Sequence, residues 1–343
     1  MTASAQHPAG ARLPDFYIVG HAKSGTTALY EMLGRHPQIH APAKEPRFFA
    51  IEDVDVQWDA LDDDALAAML AALSPQPEDT GRRPRTLAGY AALFAGARPE
   101  QLIGEASPAY LRSPLVAGRI ARLRPDARII AILREPVSFL RSFHLQSLRG
   151  YNESERDFAK AIELVEERRQ GRQLPHLART PADLLYTDHV RYVEQLRRYH
   201  EHFPREQMLV LIYEDFQRDN EATVREVLRF LQVDDSVPVE AVRTGPSRDV
   251  RHPRLHVLVN LRRAALRNVK AAGAASRAFN SLTPAPLRGT LKSRWRRAAY
   301  DRPAPPDERF ALELRRRLKP EVQALSEYLG RDLVGLWGYD QID

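Results

Sequence analysis

The residues best suited to chemistry come early, in the stretch Gly20-His21-Ala22-Lys23-Ser24-Gly25-Thr26-Thr27, directly behind the apolar run Phe16-Tyr17-Ile18-Val19. Its two glycines have the spacing of the phosphate-gripping loop G-x-x-x-x-G-K-[ST], in which backbone N–H groups and a helix N-terminus face an anion. Such a cradle needs positive φ and close backbone approach, which is expected here of both Gly20 and Gly25. Thr26 stands where that motif carries its lysine, and Lys23 has moved inside the loop. In nucleoside triphosphatases the motif lysine reaches the β- and γ-phosphates, and the hydroxyl behind it holds Mg²⁺. Thr27 is placed for the second task, but position 26 cannot perform the first. A lysine in mid-loop meets instead the bridging oxygen of a 5′ group, so the phosphorylated donor is expected to differ from ATP.

A second group follows the apolar run Arg128–Leu133: Arg134, Glu135 and Pro136, then a helix through Phe139, Leu140 and Phe143. Proline suits the first turn of a helix. Ser138 and Ser142 lie four residues apart and so share one helix face. Arg134 and Ser142 would then clamp a second phosphate beside the first; the alternative is an arginine that merely caps a strand. Lys44 and Arg47 flank Glu45 and are candidates for orienting an acceptor. No apolar run ends in the aspartate that holds Mg²⁺ in nucleoside triphosphatases, the nearest match being Tyr213-Glu214-Asp215.

Together the stretches VGHAKSGTTAL (19–29) and ILREPVSFLRSFH (132–144) resemble the 5′- and 3′-phosphate-binding motifs of sulfotransferases that use 3′-phosphoadenosine-5′-phosphosulfate (PAPS). Within that superfamily the chain is most similar to the Golgi heparan-type and bacterial carbohydrate branch. KEPRFF (44–49) is similar to the family's segment with an acidic residue and two phenylalanines. IGEASPAYL (103–111) is like its second strand, residues 185–216 like its late helix and strand, and LGRDLVGLWGY (329–339) like its C-terminal end. Residues 52–100 and 250–300 match no motif of the family. The resemblance implies that Lys23, Ser24, Gly25, Thr26, Thr27 and Ala28 hold the 5′-phosphosulfate, and that Arg134 and Ser142 hold the 3′-phosphate. It assigns the basic loop over the adenosine to Arg288, Lys292 or Arg296. Glu45 aligns with the family's carboxylate, which takes the acceptor proton; the alternative is a surface glutamate paired with Lys44 or Arg47. Some relatives use histidine, which makes His21, His40 and His144 reserves, although a lone histidine is more often structural.

The implied reaction is sulfuryl transfer from PAPS by in-line displacement, with Glu45 as base and Lys23 on the leaving group. 3′,5′-Adenosine bisphosphate (PAP) is the product and no metal is required. The implied acceptor is a hydroxyl of a carbohydrate, a glycosylated natural product or a glycolipid, not a nucleic acid. A kinase or nucleoside triphosphatase on a degenerate loop is the rival reading, and a silent binding protein that keeps the loop as scaffold is a third.

Elements must bring these groups together. Phe16–Gly20, residues 101–105, Arg128–Leu133 and residues 208–213 read as short buried strands, each followed by a helical stretch. Helices are expected from Thr26 or Thr27 to before Pro37, and over about 60–73, 186–202, 221–231 and 306–329, the last entered through Pro303 and Pro306. Strands alternating with helices imply an α/β architecture. The expected fold is P-loop-like and three-layered, with a central, mainly parallel sheet flanked by helices. No repeat or linker breaks the chain, so one domain over 1–343 is expected, with 14–50 and 128–150 carrying the two phosphate segments.

Composition bounds the rest. At 343 residues, 43% apolar and 28% charged, the chain can bury a large core. It has no cysteine, which excludes disulfides, thiolate metal sites and a cysteine nucleophile. The first fourteen residues lack a signal-peptide core and no apolar run reaches membrane-span length, so a cytoplasmic protein is expected. Of its 51 basic residues, 45 are arginine and 6 lysine, and two of those lysines are Lys23 and Lys44. The net charge of +6 is uneven: residues 250–300 hold twelve Lys/Arg and no acid. Such a block suits a polyanionic acceptor or a peripheral membrane contact, or is simply solvated arginine on helix faces. Residues 254–270 are amphipathic enough for either a lipid surface or a core face, and residues 74–87 read as a loop over the acceptor.

Overall fold

The computed structural model describes residues 12–42, 44–51, 54–56, 58, 62–73, 84–176, 178, 180–240, 249–250, 300–301 and 307–342. Five strands, β1 (Phe16–Gly20), β2 (Ile39–His40), β3 (Leu102–Ala106), β4 (Arg128–Leu133) and β5 (Met208–Ile212), form one sheet in the order β2-β3-β1-β4-β5. Every pairing in it is parallel. Phe16 lies opposite both Gly104 and Arg128, which fixes β1 as the central strand. All five of its residues are buried, as an apolar run covered on both faces should be.

The side chains of β1 alternate between two layers. Phe16 and Ile18 join Leu29 and Leu33 of α1 (Thr26–Leu33) and Val224, Val227, Leu228 and Leu231 of α10 (Asn220–Leu231). Tyr17 points the other way and meets Phe49 edge-on, ring centroids 5.8 Å apart. Phe49 belongs to an aromatic layer in which Phe48 stacks on Tyr90 of α3 (Leu87–Ala92) at 4.6 Å. Removing a fully buried Leu29 or Leu228 costs about 2–5 kcal/mol by cavity formation. The three-layer α/β expectation is met.

Among the described residues the remaining helices are α2 (Asp63–Ala71), α4 (Val116–Leu123), α5 (Pro136–Gly150), α6 (Phe158–Glu163), α7 (Val165–Arg169), α8 (Tyr192–His200), α9 (Tyr213–Arg218), α11 (Glu308–Leu329) and α12 (Leu333–Leu336). Several boundaries differ from expectation for local reasons. The helix expected from about 60 starts at Asp63, because the Asp62 side chain accepts from Ala65 N–H at 2.7 Å and caps it. The strand expected to run to Tyr213 stops at Ile212; Glu214 and Asp215 then favour the first turn of α9. The strand expected over 101–105 occupies Leu102–Ala106. Residues 186–202 divide into a 3₁₀ turn, Tyr186–Val190, and α8. Residues 74–83, most of the 250–300 block and residues 302–306 lie outside the described residues, and with them the loop over the acceptor, the amphipathic 254–270 stretch and the proline entry to α11.

The chain divides into two compact units. The first (Met1–Phe139, His189–Thr244 and Arg316–Asp343) contains the sheet. The second (Leu140–Asp188 and Gly245–Arg315) contains α6, α7 and an antiparallel pair, β6 (Asp249–Val250) with β7 (Tyr300–Asp301). A buried fork holds the second unit: Nη1 and Nη2 of Arg168 each donate to Glu153 at 2.8 Å, and Tyr186 Oη donates to the same carboxylate at 2.9 Å. Deleting one partner of such a pair strands a buried charge and costs about 3–5 kcal/mol.

Candidate functional site

The chain leaves β1 for the β3 side of the sheet and returns to β4 on the other side. Open α/β sheets bind ligands at such a reversal, outside the carboxyl ends of the strands. The loop 20–27 emerges there, between the ends of β3 and β4. A Cβ on Gly20 would lie 2.6 Å from that of Leu111, so packing requires this glycine; its φ is not left-handed, contrary to expectation. Gly25 does adopt φ 87°, ψ 2° and begins α1. Lys23 is left-handed too, with φ 63°, a conformation that costs a non-glycine residue about 1–3 kcal/mol. No side chain caps α1 and no acid stands in its first turn. The first N–H groups of the helix and its positive dipole end therefore suit an anion.

The loop is pinned to β4. His21 N–H donates to Ile132 O at 2.8 Å, and Arg134 Nη1 donates to Lys23 O at 3.0 Å. The Arg134 guanidinium lies 4.7 Å from the Tyr213 ring centroid, and its backbone oxygen accepts from Tyr192 Oη at 3.0 Å. Its buried Nε has no partner among the described residues, so Arg134 keeps a donor for a ligand. Glu135 makes α5 unlike α1. Its two carboxylate oxygens accept from Val137 N–H at 3.1 Å and Ser138 N–H at 2.7 Å, closing that helix N-terminus. Tyr339 Oη donates to Glu135 at 2.7 Å, while Trp337 Nε1 donates to Glu214 at 2.9 Å. An anion therefore fits α1 and the Arg134 side chain better than the start of α5.

The segment after α1 carries Glu45. Three hydrogen bonds hang it from the end of β3: Glu45 N–H to Ala106 O at 2.8 Å, Arg47 N–H to Ser107 Oγ at 3.1 Å, and Phe49 N–H to Tyr110 Oη at 3.3 Å. Glu45 and Arg47 are both left-handed, with φ 60° and 58°. The Glu45 carboxylate pairs with Arg47 at 2.8 Å and faces Lys44 Nζ at 3.6 Å. Burial pushes its carboxyl up, but Arg47 and Lys44 outweigh this and hold it below the usual carboxylate range. It is ionised at neutral pH and able to accept a proton. Lys44 Nζ also donates to Thr27 Oγ1 at 2.5 Å, so one ammonium touches both the loop and the Glu45 segment.

Beneath this segment Glu105 is fully buried and accepts from Tyr90 Oη at 2.5 Å and Tyr110 Oη at 3.3 Å. Burial pushes its carboxyl up to about 7, against the pull of these hydroxyls and Ser107. Glu105, Ser107, Tyr110, Glu135 and Tyr339 were not singled out by sequence reasoning. The stretch IGEASPAYL held three of them, and its buried acid amid hydroxyl-bearing residues was the available signal.

The three reserve histidines sit in packed surroundings. His21 is buried 4.1 Å from the Phe139 ring, and burial pushes its imidazole down to about 4. His40, on β2, is pushed down by burial and then by Arg12 and Arg98. His144, in the second unit, has Nε2 2.8 Å from Glu155 O. Ser142 is buried on α5, in the second unit. Arg288, Lys292 and Arg296 lie outside the described residues.

A parallel sheet with a glycine-bounded loop after its central strand, opening a helix, defines the P-loop-like three-layer class. Residues 14–236, more than half of the chain, match the family model described as Sulfotransferase family, and the chain belongs to that family. It is 32% identical over 144 residues to heparan sulfate glucosamine 3-O-sulfotransferase 6 of Mus musculus, covering 42% of this chain and 33% of that protein. It is 28% identical over 221 residues to heparan sulfate glucosamine 3-O-sulfotransferase 3B1 of the same species, covering 64% of this chain and 46% of that protein. The chain thus spans about a third to a half of the length of these relatives. A crystal structure of a sulfotransferase from Alicyclobacillus acidocaldarius is 29% identical, with a TM-score of 0.53 over 81% of this chain and 99% of its own.

Proposed function

We propose that the protein transfers a sulfuryl group from PAPS to a hydroxyl of a carbohydrate, a glycosylated natural product or a glycolipid. The observation that carries this reading is the uncapped N-terminus of α1 behind Gly25, beside an Arg134 that keeps a donor to spare. PAPS supplies the activated sulfuryl group when bound. Lys23, Ser24, Gly25, Thr26, Thr27 and Ala28 take its 5′ end, and Arg134 takes the 3′-phosphate. Glu45 accepts the proton of the acceptor hydroxyl as that oxygen bonds to sulfur and displaces the bridging oxygen. Lys23 neutralises the charge the bridging oxygen collects, so catalysis rests on positioning and charge stabilisation. The heparan sulfate relatives favour a sugar hydroxyl as acceptor. The twelve basic residues of 250–300 suit an anionic one.

Calorimetry tests the donor. PAP is expected to bind without Mg²⁺, whereas a preference for MgATP would favour the rival kinase reading. Mass spectrometry of metabolites after deletion of the gene is expected to show one compound lighter by one SO₃. Lys23→Ala is expected to lower sulfuryl transfer by at least the 10²-fold typical of a lost oxyanion donor; unchanged transfer would leave the loop as scaffold only.

A further inference from the structure

We propose that Lys44 is a positioning residue that couples the donor loop to the base: its ammonium holds the Thr27 hydroxyl and the Glu45 carboxylate together. The inference rests on the functional reading above, in which the loop takes the donor and Glu45 takes the acceptor proton. Thr27 occupies the [ST] position of the phosphate-loop motif, whose hydroxyl oxygen faces Mg²⁺ in nucleoside triphosphatases. Here that oxygen accepts instead from Lys44 Nζ at 2.5 Å. An ammonium has donors only, so the Thr27 hydroxyl is left with its own proton to give, and a hydroxyl polarised in this way is a stronger donor to an anionic oxygen. Lys44 therefore puts positive charge where a metal ion stands in related loops, and delivers it through the hydroxyl.

The same ammonium lies 3.6 Å from Glu45 Oε1, while Arg47 holds Oε2 at 2.8 Å. Among the described residues, these two cations are the charged groups that act on Glu45. The Arg47 guanidinium bonds the carboxylate. Lys44 alone of the two also touches the loop, and its backbone is bridged to Ala106 at the end of β3. The ammonium is thus anchored on the sheet and spans the gap between the two halves of the site. Lys44 keeps its proton throughout transfer, and the acceptor proton still goes to Glu45.

Lys44→Met keeps the stem and removes the charge. PAP affinity, measured by calorimetry without divalent metal, is expected to fall about tenfold, the loss typical of one charge-assisted hydrogen bond. In the same variant the Glu45 carboxyl, followed by ¹³C NMR, is expected to titrate at higher pH than in wild type, a shift that a merely structural lysine would not produce. If Lys44→Met does not fold, Thr27→Val breaks the same contact from the loop side and is expected to weaken PAP by a similar factor. Wild-type binding of PAP with unchanged affinity in these variants, or an unmoved Glu45 titration, overturns the coupling role. If wild type itself does not bind PAP, the donor reading falls instead, and the Glu45 titration still tests the Lys44 contact.

Discussion

At the scale of single residues, the site sets one carboxylate against another. Glu45 is held ionised by Arg47 and Lys44, while burial keeps Glu105 protonated further up the pH range. Glu45→Gln is expected to cut sulfuryl transfer by about 10²–10⁴-fold while leaving PAP affinity near wild type, as the proposed base role requires. In wild type the acid limb of kcat/KM should lie below the ordinary carboxylate range, because the folded pKa is depressed. Glu105 has the opposite sign. Its raised value means that its contribution to stability is complete below its ordinary 4.5 and is lost as pH rises through about 7. The loss is about 3 kcal/mol for a shift of that size. Thermal unfolding of Glu105→Gln is expected to lack this fall between those two pH values; an unchanged profile would show that Glu105 is not the group responsible. Motif position nominates Lys23 and Arg134 as candidates, and resemblance to the family nominates Glu45. Ser107 and Tyr110 were not, because their bonds to Arg47 and Phe49 cross about sixty positions of sequence.

At the scale of elements, two helix N-termini that look alike in sequence behave differently. Both α1 and α5 follow an inner strand of the sheet, yet Glu135 closes α5 and no side chain caps α1. Gly25→Ala tests the open one. Its φ of 87° penalises any side chain, and a Cβ would crowd Phe216 at 3.0 Å. The variant is expected to lose about 1–2 kcal/mol of stability in denaturant melts and to bind PAP more weakly. The limits of β1 and β4 were legible because each apolar run ends in residues that stop strands, Gly20 on one side and Arg134-Glu135-Pro136 on the other. The two-residue β2 was not, since it is too short to show a period and is defined by its pairing with β3. The start of α9 differs by one residue, Tyr213 reading as the end of the apolar run and folding as the first residue of the helix.

At the scale of the whole molecule, sequence predicted a mainly parallel sheet but not its order. Strand order depends on which runs meet across long stretches of chain, and no local pattern encodes that. The order nonetheless explains how these segments meet: Lys23 follows β1 and Arg134 follows the neighbouring β4, while the Glu45 segment, which leaves β2, is hydrogen-bonded to the end of β3 on the other side of β1. Binding energy placed there should be felt by the fold. At a hundredfold excess over its dissociation constant, PAP is expected to stabilise the folded state by about 2.7 kcal/mol. That corresponds to a rise of several degrees in unfolding temperature. A flat response at saturating PAP would count against the donor site.

The aromatic layer under the Glu45 segment has a practical consequence. Trp58 is buried with its ring 6.4 Å from Phe48 and 5.9 Å from Phe49, and the Arg119 guanidinium rests 5.3 Å from its centroid. Those two phenylalanines are continuous with Glu45 and Arg47. Any shift of that segment alters the polarity around an indole, so the chain carries its own fluorophore for watching the acceptor side of the site, with no dye attached.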